Sequence, residues 1–237
     1  MKVEQLKVKI FADGADKAAM VALVKHPHVS GFTTNPTLMR KAGITDYKAF
    51  ALDVLSAIPK HPISFEVFAD DFATMERQAM DIASWGKNVY VKVPITTTGG
   101  EFSGELVERL SRRGVQLNVT ALMTLEQVRR ITDHLEQSPS AFVSVFAGRI
   151  ADTGRDPVPL MAAAVELMRS NPKLELIWAS PRELLNIFQA DAIGCHVITV
   201  TNDVLKKLEM VGKDLADYSR ETVQMFFDDA KKAGFAL

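Results

Sequence analysis

The chain has 237 residues, of which 47% are hydrophobic, and a formal net charge of −1 at pH 7. This length suits one α/β barrel of about 250 residues, and the mixing of acidic and basic residues argues against nucleic-acid or membrane-surface partners, which favour basic patches. No apolar run approaches the roughly 20 residues needed to cross a bilayer, and the N-terminus lacks the apolar core of a signal peptide.

Short β-branched or apolar runs alternate with amphipathic stretches along the chain. The predicted strands span residues 8–13, 31–35, 63–68, 89–95, 115–120, 142–146, 176–180 and 196–201. The predicted helices between them span residues 16–25, 47–57, 72–85, 103–113, 125–136, 158–170 and 182–189. A short helix at 204–210 and a longer one at about 216–234 follow the eighth strand.

Strands that alternate with helices imply right-handed βαβ units and a parallel sheet. Eight units close most economically as a (β/α)₈ TIM barrel, so we expect an α/β protein with a single domain over residues 1–237 and an extra C-terminal helix. An open doubly wound sheet is the alternative. Thr124-Leu125-Glu126-Gln127 and Ser180-Pro181-Arg182-Glu183 fit helix-starting capping boxes, and Asn35-Pro36 offers a further N-cap.

Side chains alternate between the two faces of a strand, so each strand has one face toward the barrel axis. The purely apolar faces suit packing under helices, which leaves the mixed faces for the lumen. In the seventh strand this places Trp178 and Ser180 inward and Ile177 and Ala179 outward. The polar residues predicted to line the lumen are Asp13, Asn35, Glu66, Lys92, Asn118, Thr120 and Ser144. Buried polar groups without partners are costly, so this cluster indicates an active site rather than scaffold.

Lys92 lies mid-strand between valines. Removal from water disfavours the charged form of a lysine, and a neutral amine can attack a ketone to give a carbinolamine and then an iminium ion. The iminium is an electron sink that lets the adjacent carbon–carbon bond break. Asp13 is placed to take the proton of the departing hydroxyl, and Glu66 with Thr120 is placed to hold the water exchanged during imine formation.

Phosphate recognition has separate candidates beyond strands six and seven. Arg149 closes Phe146-Ala147-Gly148-Arg149, while Ser180 and Arg182 stand at a predicted helix N-terminus, where backbone N–H groups favour anions. Ser180 can equally serve only as an N-cap, and either arginine can form only a surface ion pair. The loop Thr96-Thr97-Thr98-Gly99-Gly100 suits either phosphate binding or a plain connection.

The whole chain resembles the transaldolase family, which includes fructose-6-phosphate aldolase-like enzymes. The segments that carry the resemblance occur in order, one per strand end. They are Thr33-Thr34-Asn35-Pro36, Val91-Lys92-Val93-Pro94-Ile95-Thr96, Asn118-Val119-Thr120, Ser144-Val145-Phe146-Ala147-Gly148-Arg149-Ile150 and Ala179-Ser180-Pro181-Arg182.

The resemblance implies roles for these residues. Lys92 would form the imine, Asp13 would be the general acid/base, and Glu66 and Thr120 would position the catalytic water. Asn35, Asn118 and Ser144 would bind substrate hydroxyls and orient Lys92. Arg149, Ser180 and Arg182 would hold the phosphate. The family needs no metal or other cofactor beyond the covalent Schiff base, and its short members often form decamers through the C-terminal helix.

Two positions bear on which reaction is catalysed. The aldolase branch typically has Gln where Glu66 stands and Tyr where Phe146 stands, so the resemblance favours transaldolase. We therefore expect transfer of a dihydroxyacetone unit between sugar phosphates, of the sedoheptulose 7-phosphate/fructose 6-phosphate type in the pentose phosphate pathway. Free class I aldolase activity is the alternative. Gly14, Val145 and Pro181 depart from the family pattern and bear on the identity of the sugar.

Two further alternatives stay open: a sugar-phosphate-binding or regulatory barrel without catalysis, and an isomerase that uses Glu66 as base without a covalent step. The single cysteine, Cys195, excludes an internal disulfide framework and fits a reducing cytoplasm. His26 and His28 lie before the second strand, too far from the lumen carboxylates for a metal site. We expect sugar phosphates and further copies of this chain as partners, with no nucleic acid or membrane.

Overall fold

A computed structural model describes residues 2–235, so residues 1 and 236–237 of the predicted domain lie outside the described part. Eight parallel strands close into a barrel in chain order, which confirms the predicted (β/α)₈ TIM barrel and excludes the open sheet. The strands are β1 (Lys9–Asp13), β2 (Val29–Thr33), β3 (Ile63–Glu66), β4 (Val89–Pro94), β5 (Leu117–Leu122), β6 (Ala141–Val145), β7 (Leu174–Trp178) and β8 (Val197–Thr201).

Helices follow the strands around the outside. They are α1 (Lys17–Leu23), α2 (Pro36–Lys41), α3 (Tyr47–Ala57), α4 (Phe72–Ala83), α5 (Gly104–Arg112), α6 (Leu125–His134), α7 (Ala147–Ala151), α8 (Val158–Met168), α9 (Leu185–Ala192), α10 (Asn202–Lys206) and the C-terminal α11 (Leu215–Ala233). Within residues 2–235, none of these helices combines the length and the apolarity needed to cross a membrane.

Two of the three predicted helix starts are confirmed. Asn35 caps α2 by accepting a hydrogen bond from the Leu38 N–H, and Thr124 forms a capping box with Gln127 at the start of α6. The capping box predicted at Ser180 is wrong. Ser180 has φ +56°, and α9 begins only at Leu185, without a side-chain cap. A left-handed residue cannot serve as the extended N-cap that the box requires.

Aromatic side chains close the lower part of the lumen. Phe11 and Phe142 meet edge to face with their ring centroids 5.4 Å apart, and Tyr90 packs on Phe142 at 4.3 Å. Gly31 faces this floor, because a Cβ placed there would lie only 2.6 Å from the Phe11 ring. The floor closes the lumen below the layer that holds Lys92, which lies two residues beyond Tyr90 on β4.

The face predicted for the seventh strand is wrong. Ile177 and Ala179 belong to the lumen cluster with Phe11 and Phe142, whereas Trp178 packs in the core between barrel and helices. The predicted strand began at residue 176 and so omitted Glu175, which faces inward and pairs with Lys9 at 2.6 Å. Because both faces of β7 are rich in apolar residues, only this charged residue marks which face is inside.

The C-terminal helix runs over Leu215–Ala233, close to the predicted span, and none of its residues is buried. Its exposed apolar side chains are Leu215, Tyr218, Val223, Met225, Phe226 and Phe227. Helices of globular proteins normally bury one face, so this helix presents an apolar surface that residues 2–235 leave uncovered.

Candidate active site

A cavity of about 610 Å³ opens at the carboxyl ends of the strands. All the site residues predicted from the sequence line it: Asp13, Asn35, Glu66, Lys92, Asn118, Thr120, Ser144, Phe146, Arg149, Ser180 and Arg182. Barrel enzymes build their active sites at this end. The chain therefore brings together side chains that are as many as 169 positions apart in sequence, counted from Asp13 to Arg182.

Lys92 is buried, with 6% of its surface exposed. Its Nζ donates to the backbone carbonyl of Thr34 at 3.1 Å and lies 3.2 Å from Glu66 Oε2. Glu66 and Lys92 are paired residues of the adjacent strands β3 and β4, so the register of the barrel sets this contact. A carboxylate at this distance can exchange a proton with the amine.

Tyr47 holds the backbone of Glu66 in place. The Tyr47 hydroxyl accepts from the Glu66 N–H at 2.7 Å and donates to the Glu66 carbonyl at 2.9 Å. Burial raises the pKa of Tyr47 above its ordinary value, so this hydroxyl stays protonated. Tyr47 belongs to α3, so the alternation of inward and outward side chains along the strands could not predict its contact with Glu66.

Asp13 is half-buried at the end of β1, where it lines the cavity. Burial is the main influence on its carboxyl and raises the pKa above its usual range, against the opposing effects of Lys92 and a hydrogen bond from Thr33. The Thr33 hydroxyl donates to Asp13 Oδ1 at 2.8 Å and also bonds to the Thr199 hydroxyl. A carboxyl that binds a proton easily suits a group that alternates between acid and base.

Two site residues form a hydrogen-bonded row across the lumen. The Ser144 hydroxyl donates to Asn118 Oδ1 at 2.7 Å, and Asn118 Nδ2 donates to the Ser64 hydroxyl at 3.0 Å. Asn118 is also the strand partner of Lys92. The row fixes the orientation of the Asn118 amide beside the lysine.

Thr120 differs from its neighbours because its buried hydroxyl has no hydrogen-bond partner among residues 2–235. It precedes Ala121, which has φ +66°, at an irregularity where the register between β5 and β6 shifts. Buried hydroxyl groups are rarely left unpaired, so this one is placed to bind a water molecule or a substrate oxygen.

The two predicted phosphate arginines have different surroundings. The guanidinium of Arg149 lies 5.4 Å from the centroid of the Phe146 ring and forms no ion pair within the described chain. Arg182 donates from Nε to Asp152 Oδ1 at 2.9 Å and also bonds the other carboxylate oxygen through Nη2. Arg149 is therefore the arginine with an uncommitted charge at the cavity.

At the helix start predicted beside Ser180, two backbone N–H groups already have a partner within the chain. The N–H groups of Arg182 and Glu183 donate to Asn186 Oδ1 at 2.7 and 3.1 Å. The Ser180 carbonyl instead approaches Gly148 so closely that a Cβ there would lie 1.5 Å away. Glycine at position 148 thus permits the contact between α7 and the β7 end that shapes this side of the cavity.

The loop at residues 96–100 does not line the cavity. Thr98 donates from its backbone N–H to Asp70 Oδ1 at 2.7 Å and from its hydroxyl to the other oxygen of Asp70. These bonds hold the pKa of Asp70 below its usual range. A loop that binds a carboxylate of its own chain fits the plain connection rather than a phosphate site.

Three threonines without a predicted role, Thr33, Thr34 and Thr199, contact Asp13 or Lys92 directly or through one hydroxyl. Thr33 shares the inward face of β2, two residues before Asn35, so strand alternation offered a signal for it. Thr199 offered a similar signal as a polar residue among the apolar residues of β8, but its contact with Thr33 arises only when the barrel closes.

The family of this chain follows from comparison with known proteins. The sequence pattern of the family described as Transaldolase/Fructose-6-phosphate aldolase matches residues 10–237. This chain belongs to the transaldolase/fructose-6-phosphate aldolase family. The predicted resemblance is confirmed, and Lys92 occupies the β4 position in the lumen of a barrel of this family.

Curated relatives of this family member carry transaldolase names. A probable transaldolase of Dehalococcoides mccartyi is 36% identical over 211 residues, which cover 89% of this chain and 93% of the relative. A probable transaldolase of a Thermoanaerobacter species is 32% identical over 210 residues, with 88% and 90% coverage. These matches indicate a transaldolase-type enzyme.

Solved structures of proteins with much lower sequence identity have a similar fold. The protein described as KGPDC from Streptococcus mutans has a TM-score of 0.57 at 11% identity, covering 85% of this transaldolase-family chain and 91% of its own. The 3-hexulose-6-phosphate synthase from Salmonella typhimurium also has a TM-score of 0.57, at 14% identity and with 93% and 99% coverage. At such low identity the likeness concerns the fold alone.

Proposed function

We propose that this enzyme is a transaldolase that forms a Schiff base on Lys92 and transfers a dihydroxyacetone unit between sugar phosphates. The observation that carries the proposal is the placement of Lys92 Nζ in the cavity, 3.2 Å from Glu66 Oε2 and above an apolar floor. The chemistry uses side chains only and calls for no metal or other cofactor. We also propose a cytoplasmic location, because a chain with a single cysteine cannot form the internal disulfides that an oxidising compartment favours.

Imine formation needs an amine without its extra proton. Glu66 accepts that proton from Lys92, whose nitrogen then attacks the ketone carbon of the donor sugar to give a carbinolamine. The hydroxyl of the carbinolamine leaves as water when Glu66 returns the proton, and the C=N bond of the iminium forms. The unpaired Thr120 hydroxyl holds this water during the exchange.

Carbon–carbon cleavage falls to Asp13. Its carboxylate takes the proton from the hydroxyl on the far side of the breaking bond, and the O–H electron pair forms the carbonyl of the released aldose. The carbon–carbon pair moves into an enamine, which neutralises the iminium. Addition of the acceptor aldose reverses these steps, with Asp13 returning its proton. The burial that raises the pKa of Asp13 lets the carboxyl hold that proton between the two half-reactions.

Substrate binding completes the proposal. Asn35, Asn118 and Ser144 are placed to bind hydroxyls of the sugar, with Phe146 against its chain. Arg149, with Ser180 and Arg182, is placed to bind the phosphate at the outer end of the cavity.

Trapping tests the covalent step. The protein is incubated with fructose 6-phosphate and sodium borohydride, digested, and analysed by mass spectrometry. We expect a dihydroxyacetone-derived adduct on Lys92 in the wild-type protein and none in Lys92→Arg, whose turnover is abolished. An active enzyme without an adduct supports the isomerase that uses Glu66 as base, and an inactive, unlabelled protein supports a binding barrel.

A coupled assay distinguishes transfer from free aldol cleavage. Release of glyceraldehyde 3-phosphate from fructose 6-phosphate is followed with and without erythrose 4-phosphate. A rate that depends on the acceptor supports transaldolase. An equal rate without the acceptor, with free dihydroxyacetone as product, supports the aldolase alternative.

A further inference from the structure

The hydroxyl groups of Thr33 and Thr199 form a chain that ends on Asp13. Thr33 lies at the end of β2 and Thr199 on β8, the two strands that flank β1 in the barrel. Thr33 donates to Asp13 Oδ1 at 2.8 Å, and the two threonine hydroxyls share a hydrogen bond. Both threonines are buried.

The direction of this chain follows from counting protons. An ionised carboxylate can only accept hydrogen bonds, so the Thr33 hydroxyl must donate its one proton to the bond with Asp13 Oδ1. The bond between the two threonines then requires Thr199 to donate to Thr33. Oδ1 is thereby committed as an acceptor, which leaves Oδ2 as the oxygen that gains and loses a proton.

We propose that Thr199 and Thr33 are positioning residues that orient Asp13 so that its Oδ2 alone exchanges the substrate proton. This inference rests on the proposed transaldolase chemistry and deepens it. Thr33 acts on the carboxyl directly, and Thr199 acts only through Thr33. The charged groups that face the same carboxyl from other strands are Lys92 on β4 and Glu66 on β3. Lys92 lowers the pKa of the Asp13 carboxyl and Glu66 raises it, whereas the hydrogen bond from Thr33 goes to one particular oxygen, Oδ1.

Valine has nearly the same shape as threonine but no hydroxyl. The hydrogen-bonded threonine hydroxyls are therefore tested with Thr33→Val, Thr199→Val and the double variant. We expect Thr33→Val to lower kcat about tenfold and Thr199→Val about threefold, with KM changed less than about twofold. Because Thr199 acts through Thr33, the double variant should be no slower than Thr33→Val within a factor of about two.

The pH profile supplies a readout that a merely structural role would not move. A hydrogen bond donated to a carboxylate lowers its pKa, so its loss raises the pKa of Asp13. Cleavage needs the carboxylate, and the acid limb of kcat should therefore shift to higher pH in Thr33→Val. Thr33→Ser and Thr199→Ser keep a hydroxyl and should keep the wild-type limb. If a valine variant fails to fold by circular dichroism, the alanine variant at that position carries the same expectation.

Borohydride trapping separates this inference from the function on which it rests. Imine formation uses Lys92 and Glu66, so dihydroxyacetone should still be trapped on Lys92 in every threonine variant. Absence of trapping in the wild-type protein overturns the proposed function and this inference with it. Trapping in the wild type, with additive valine effects or an unshifted acid limb, overturns the threonine chain alone.

Discussion

Arg182 donates to both carboxylate oxygens of Asp152, whereas Arg149, at the same cavity, has no acidic partner within the described chain. Two arginines that look equivalent in sequence thus differ in how much of their charge is available to a phosphate. An ion pair satisfies the same donors that a phosphate would use.

We expect Arg149→Gln to raise KM for fructose 6-phosphate by at least about tenfold, the scale of a lost hydrogen bond to a charged group. Arg182→Gln should raise it less, because Arg182 shares its donors with Asp152. Asp152→Asn should lower KM, since it removes a competing negative charge. Steady-state kinetics check the order, with the exposed Arg155→Gln as control. Equal effects of the two cavity arginines would contradict it.

The ionised carboxyl of Asp13 lowers the stability of the folded protein, because its surroundings disfavour the charged form. Its folded-state pKa is raised chiefly by burial, so the folded protein binds a proton more readily than the unfolded chain. That contribution favours folding below the unfolded pKa, about 4, and is lost as the pH rises through the raised folded pKa.

Asp13→Asn should therefore abolish cleavage and yet raise Tm at pH 7, because it removes a carboxylate whose ionisation the fold disfavours. The gain over wild type should shrink as the pH falls toward about 4, because the folded wild-type carboxyl then becomes protonated, and it should vanish only below the unfolded pKa. Thermal melts between pH 4 and 8 measure it. A Tm lower than wild type at pH 7 would show that the carboxylate is stabilising.

Ala121 has φ +66° beside Thr120. A left-handed conformation costs a non-glycine residue about 1–2 kcal/mol, and glycine loses about 0.5–1 kcal/mol through its greater freedom in the unfolded chain. Ala121→Gly should raise the free energy of unfolding by up to about 1 kcal/mol. Urea unfolding checks this against Ala163→Gly, a control in the interior of α8 that is expected to lose about 1 kcal/mol. A loss at both positions would mean that the bulge does not strain Ala121.

The apolar surface of α11 bears on assembly. We propose that copies of this chain associate through it, because Val223, Phe226 and Phe227 are exposed on a helix that buries none of its residues. Phe226→Asp with Phe227→Asp should reduce the assembly to smaller species by light scattering. Leu52→Asp, an exposed apolar residue on α3, serves as control. A wild-type monomer would contradict the proposal.

The sequence by itself determined the fold class and most of the site. The spacing of apolar residues within each segment predicts whether it is a strand or a helix, and the barrel followed from the count of eight βα units. Period-two alternation also placed Lys92, Glu66 and Asn118 on inward faces, because a strand fixes side-chain direction without help from distant residues. The positions of Arg149 and Ser144 at the cavity could also be predicted, because the carboxyl ends of all strands of a parallel barrel lie at the same end.

Only the tertiary structure decided the features that depend on contacts between distant segments. The face of β7 was ambiguous because Ile177 and Trp178 are both apolar, and pairing with the neighbouring strands settled it. The left-handed Ser180 and its contact with Gly148, the Asp152–Arg182 pair and the Thr199–Thr33–Asp13 chain each join separate elements. Such contacts arise when the cylinder closes and its helices pack, and no local period encodes them.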